Sequence, residues 1–282
     1  MIQGQREIDS TSGLLEAATD PGVRRIVVTA DLADVQSFRV LPGQTLLGSG
    51  QTIRFGTGED GVQLSADNEV AGLQLVAEPD RRAVFNDTSV EALGWLLLRD
   101  LRVTGTVRLL ARDRVRSGHV EAHSVDIVAA DARGYDQRPK SYGVEVVPGA
   151  FTLWNQQADA ATAISADLTG LSAGRAGVPV HGSGIFVSGA GETGGRLIVR
   201  RLDTGAVFSD GGIAPGTPDR ISGGVFTVYG AFVDCVCNRG PVTTYGANDM
   251  VLDNWARSMS GSPRARPPRT ARAASASSIS AH

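Results

Sequence analysis

Lysine is nearly missing from this chain: Lys140 stands alone among 27 basic residues. Arginine codons are GC-rich and lysine codons are not, so the bias points to a GC-rich gene and not to a guanidinium-specific chemistry. Cysteine occurs twice, as Cys235 and Cys237 in FVDCVC. Two apart on a strand, they face the same way and do not bridge each other. With no further cysteine or histidine beside them they make no zinc site, and they read as buried or half-buried structural residues. No run reaches the ~18 apolar residues of a membrane span, and the start, MIQGQREIDSTSG, lacks the apolar centre of a secretory signal. As written, that predicts a cytoplasmic chain, exported only if translation starts elsewhere. No membrane partner, metal or cofactor is expected.

What is present is enough for a sizeable core: 282 residues, 41% hydrophobic and 20% charged. The formal net charge is −3, and it falls to −8 for the body when the five arginines after residue 255 are set aside. An acidic body disfavours nucleic acid as a partner. Long helical periods are absent as well. Thr11 to Ala18, TSGLLEAA, reads as a short helix with Ser10 or Thr11 as N-cap, ended by Asp20-Pro21-Gly22. After it come short runs rich in β-branched residues, among them RRIVVTA, SFRVL, QTLLGS, WLLLRDLRVTG, HSVDIVAA, GIFVSG, RLIVRRL, GVFTVYG and DMVLDNW. Turn-formers, including many of the 35 glycines, separate them.

Spacing chooses among sandwich, propeller and solenoid. Val225 in GVFTVYG and Met250 in MVLDNW are 25 residues apart, with FVDCVC and PVTTYG between them. One coil of about 25 residues holding three short strands predicts a parallel β-helix, each rung stacked on the last. The opening phrase, a helix followed by IVVTADL and VLPGQTLLGSGQTIRF, resembles the start of right-handed parallel β-helix proteins of the pectin-lyase-like class. There a short helix caps the first rung near a PGQ-type turn. GPVTTYGANDMVLDNW also resembles a bacterial β-helix group with no assigned activity. The resemblance runs from about Ser10 to Trp255 and implies an all-β right-handed β-helix. Residues 1–22 are then an N-terminal segment with its capping helix, and 23–255 the β-helix.

Residues 256–282, ARSMSGSPRARPPRTARAASASSISAH, break the pattern as an Arg/Ala/Ser/Pro tail. Read one base out of register, TCN serine codons become Phe, Leu, Ile or Val codons. The hidden apolar positions 275, 277 and 280 then fall 25 residues after Met250, Leu252 and Trp255. The tail is therefore expected to be out-of-frame translation from near Trp255 or Ala256. The chain would be a truncated fragment, its uncapped last rung or its sheet face open to a second copy.

Candidate chemistry is spread along the sheet face. Phe208 to Arg220, FSDGGIAPGTPDR, is the longest loop-like insertion of the C-terminal half, and it carries Asp210, Asp219 and Arg220 as catalytic candidates. Asp203, Tyr229, Tyr245 and Asp249 are candidates for ligand binding. Inverting glycoside hydrolysis needs two carboxyls about 6.5–9.5 Å apart, which neighbouring rungs can supply. The Asp-Asp and Gly-His-Gly phrases of polygalacturonase-like enzymes are missing, since the chain offers only VHGSG around His181. His119 and His123, four apart in GHVEAHSVD, share one strand face about 13 Å apart, too far for one metal. These features predict a non-catalytic β-helix that binds glycans or protein partners. The alternative is a carbohydrate-active hydrolase or lyase working on a polysaccharide in the β-helix groove.

Overall fold

A computed structural model describes residues 4–141 and 143–255. The tail and its proposed reading frame lie outside the described residues. The architecture is a parallel β-helix with two long sheets, of fifteen and ten strands. Every pairing among the named strands is parallel except the small hairpin of Lys140–Ser141 with Val144–Val146. Among the described residues no helix is long and apolar enough to cross a membrane.

The capping helix spans Thr11–Thr19, with Ser10 as N-cap accepting from the Gly13 amide at 3.4 Å. Its Leu14, Ala17 and Ala18 are buried against the first rungs. The sheet begins before it, because Gln5–Ile8 pairs in parallel with Arg25–Val28. The PGQ turn then has a physical role. Gln44 is 1% exposed, and its amide donates to the carbonyls of Ala17, Asp20 and Val23 at 3.1, 3.1 and 2.8 Å, while its oxygen accepts from Leu41 N at 2.7 Å. One buried side chain thus closes the C-terminal end of the helix onto the first full coil.

Coil length departs from the expected 25. Down one column of the first sheet the partners are Thr45, Glu69, Leu97, Glu121, Asp167 and Arg201, separated by 24, 28, 24, 46 and 34 residues. Near the end, Val225 pairs with Leu252, a step of 27, and Met250 pairs with Gly223. From Gln5 through Arg25 and Thr45 to Glu121 the steps are 20, 20, 24, 28 and 24, they then reach 46 and 34, and the last rung returns to 27, so the 25 read from the sequence is not a fixed period. The 46-residue step holds the segment carrying the Lys140–Val146 hairpin.

A second regularity holds the corners. Gly72, Asp100, Ser124 and Gly170 follow the mutually aligned Ala71, Arg99, His123 and Thr169, and all four have left-handed backbones with φ of 67°, 51°, 55° and 67°. At Gly72 a Cβ would stand 2.2 Å from the Gly48 carbonyl oxygen, so only glycine fits. The stacked corners turn the chain at the same place on four rungs. Side chains before the corner therefore point outward in line. Inside, Phe151, Phe186, Phe226 and many Leu, Ile and Val side chains fill the coil. At the far end, Asp249–Asn254 pairs with Arg220–Thr227 and leaves Met250, Val251 and Leu252 exposed.

Candidate functional site

The outward column of the first sheet gathers polar groups onto one flat surface. Three strands build it: Ala92–Thr104, Ser117–Ala129 and Ala163–Ala173. Alternation sends Leu96, Leu98, Val120, Ala122, Ala166 and Leu168 inward, and it leaves Trp95, His119, Glu121, His123, Ser165, Asp167 and Thr169 on the outside. Trp95 is 51% exposed, its ring centroid 4.5 Å from that of His119.

Glu121 is the hub. His119 Nε2 lies 3.5 Å from one carboxylate oxygen and His123 Nε2 lies 3.4 Å from the other. The far nitrogens meet hydroxyls on the next rung: His119 Nδ1 is 2.7 Å from Ser165 Oγ, and His123 Nδ1 is 2.6 Å from Thr169 Oγ1. Two hydroxyl–imidazole–carboxylate chains therefore share one carboxylate. The two histidines stand on one strand face, as their spacing predicts, and the carboxylate between them links them.

Asp167, the register partner of Glu121, is 6% exposed. Its Oδ2 is held by Arg200, while its Oδ1 is buried and has no hydrogen-bond partner among the described residues. The following strand bulges here, because Ala166 aligns with Val199 but Asp167 aligns with Arg201. Arg200 is the extra residue, and it holds Asp167 while Arg201 bonds Asp203. The hydrogen bond to Asp167 raises the pKa of the Arg200 guanidinium. A cleft of about 380 Å³ opens at this point, lined by His123, Asp167, Thr169, Arg200, Arg201 and Cys235. Cys235 is exposed and Cys237 half-buried, both as free thiols. For Cys235 this corrects the reading as a buried structural residue. FVDCVC forms two short strands, Ala231–Val233 and Val236–Asn238, and Cys235 falls at the turn between them.

Of the residues proposed from sequence, Asp203 borders this cleft through its partner Arg201, and like Asp167 it keeps a buried Oδ1 without a hydrogen-bond partner among the described residues; the others lie elsewhere. Asp203 is 3% exposed and clamped by Arg201 at 2.9 Å and Arg239 at 2.6 Å. Burial pushes its carboxyl up, but the hydrogen bonds and charges of Arg239 and Arg201 outweigh that and hold it below the usual carboxylate range. Asp210 accepts from Gly212 N at 2.8 Å, an Asx-type turn. Asp219 lies at a turn, its carbonyl accepting from Glu145 N at 2.8 Å, and Arg220 is 3.8 Å from the Glu145 carboxylate. Asp249 accepts from Gly211 N, Gly246 N and Ser222 Oγ at 3.0, 2.9 and 2.5 Å. Tyr245 accepts from Gly177 N at 3.1 Å through its hydroxyl. Tyr229 packs against Trp255, their ring centroids 5.9 Å apart.

Trp95, Glu121 and Asp167 are not singled out by sequence. Asp167 lies in AISADLTGLSA, whose small residues disguise a strand. Its one sequence signal is the pair of neighbours Ile164 and Leu168, two inward positions four apart. The fold defines a parallel β-helix with a polar, partly aromatic sheet face. Among known proteins, no family model, curated sequence or solved structure matches the chain.

Proposed function

We propose that the protein is a glycan-binding β-helix, with an extended saccharide lying across the outer face of the first sheet. The observation that carries this reading is that exposed Trp95, Glu121 and the incompletely bonded Asp167 share one sheet face. Trp95 and Asp167 lie two rungs apart, about 9.6 Å along the stack, a distance on the scale of one or two sugar rings. An aromatic face takes the C–H side of a pyranose, and carboxylates accept from its hydroxyls. Asp167 Oδ1 offers a buried acceptor with no partner among the described residues, which a sugar hydroxyl would satisfy. Arg200, Arg201 and His123 supply donors around the same cleft.

A glycan array on the full chain tests the proposal, followed by titration of the best hit against Trp95→Ala and Asp167→Asn. Undiminished binding by both variants would end it. A hydrolase is the second reading, favoured by Glu121 and Asp167 as partnered carboxylates on adjacent rungs, the arrangement that two-carboxyl glycoside cleavage uses. Release of reducing ends from a bound glycan, lost in Glu121→Gln, would support it.

A further inference from the structure

On the other sheet, Arg108 sits mid-strand in Thr106–Ala111 and is 6% exposed. Its guanidinium carbon lies 3.6 Å from the centroid of the Tyr135 ring, and its Nη1 is buried without a hydrogen-bond partner among the described residues. Arg108 lines a cleft of about 440 Å³. The other arginines lining it are paired: Arg82 with Asp60, Arg112 with Asp113 at 3.4 Å, and Arg114 with Glu91 at 2.5 Å. The lining carboxylates are also taken, Asp113 by Arg112 and Asp87 by Arg39 at 2.9 Å. No carboxylate is within ion-pair distance of Arg108 among the described residues.

A buried charge without a counter-ion is costly, and proteins seldom carry one unless something else satisfies it. Burial lowers the Arg108 pKa to about 10, with Tyr135 opposing the shift and the nearby Arg112 and Arg82 adding to it, so it stays charged at neutral pH. We infer that this cleft is a binding site for a small organic monocarboxylate, whose carboxylate pairs with Arg108 and whose body rests against Phe85 and Leu110. Counting paired charges as cancelled, the cleft has one positive charge left, which matches one negative charge. The volume lies within the usual range for small-molecule pockets. This site is on the sheet opposite the proposed glycan face, and it stands or falls independently of that reading.

Calorimetric titration of the full chain with sodium benzoate tests the inference, with benzamide and sodium sulfate as the neutral and dianionic counterparts. Benzoate binds and raises the thermal midpoint; benzamide binds at least about tenfold more weakly because it lacks the charged hydrogen bond, and sulfate binds more weakly because it has no apolar body to rest against Phe85 and Leu110. Arg108→Met abolishes benzoate binding and raises the midpoint of the free protein, since it removes an uncompensated buried charge. Arg108→Lys, which keeps the charge but loses the fork, binds at an intermediate level. The inference is overturned if benzoate gives neither heat nor a thermal shift, if sulfate binds as well as benzoate, or if Arg108→Met binds benzoate unchanged. A lowered midpoint in Arg108→Met would make Arg108 a structural residue and overturn it too.

Discussion

Glu121 and Asp167 are register partners on successive rungs although 46 residues separate them in the chain. The carboxylate of one is flanked by two imidazoles, and that of the other is held by an arginine from a bulge in the next strand. That juxtaposition centres the proposed glycan face, and it gives the first prediction. Asp167→Asn keeps the volume but loses the charge that holds Arg200. Affinity for the best array hit should fall by roughly tenfold, the scale of one charge-assisted hydrogen bond. Urea midpoints within error of the parent would show that the loss is local.

Gln44 should be a stability residue with no part in binding. Gln44→Ala takes the side-chain partner from the Val23 carbonyl and the Leu41 amide and a second donor from the Ala17 and Asp20 carbonyls, which keep the Asp20 and Val23 amides, and should cost about 1–3 kcal/mol by denaturant titration. Gln44→Glu tests the geometry, because it retains the acceptor for Leu41 N but loses the amide donors. An unaltered midpoint in both variants would dismiss the helix-closing role.

The stacked corners make opposite predictions for substitutions of similar size. Gly72→Ala meets the Gly48 carbonyl and a left-handed backbone, and should destabilise by more than about 1 kcal/mol. Asp100→Gly, at the aligned corner one rung on, removes a positive-φ penalty and should be neutral or slightly stabilising. Thermal melts of both proteins decide the matter; equal losses would refute the corner argument.

Acid should weaken the fold through paired aspartates. Asp203, Asp60, Asp87 and Asp131 all have carboxyls held below the ordinary aspartate range of about 3.8. In each the ionised form is favoured in the folded state, so the stability they contribute is complete above that range. It is lost as pH falls through the depressed folded values. The thermal midpoint should therefore be flat near neutrality and drop below about pH 4. Asp203→Asn should lower the neutral midpoint and flatten part of the acid slope, and a parallel slope in the variant would exclude Asp203 from the effect.

Legibility differs by element. The helix Thr11–Thr19 is readable because its cap and apolar positions are local, and the PGQ turn is visible though its partner carbonyls are not. Strands with strong β-branched text, such as Arg25–Val28, are also readable. Gln5–Ile8 and Ala163–Ala173 are not, because polar, small and acidic residues become a strand only where neighbouring rungs offer paired backbone and an apolar interior. The loop from Phe208 to Arg220 draws attention by its length and glycines, yet its acids serve turns. Arg108 is hidden in TVRLLA as an ordinary outward residue, and only the rungs around it show that its charge has no partner.

What the amino-acid sequence determined by itself was the kind of structure: short alternating strands, turn residues between them, a capped helix at the start, and hence a stack of coils. Which side chains share a surface was decided only by tertiary structure. Coil length varies from 20 to 46 residues along one column, so no fixed period connects Trp95, Glu121, Asp167 and Arg201. Register is chosen where inward side chains pack and backbone groups pair across rungs, and those are long-range choices. Alternation is local and can be read along a strand; alignment between strands depends on the interior they jointly fill.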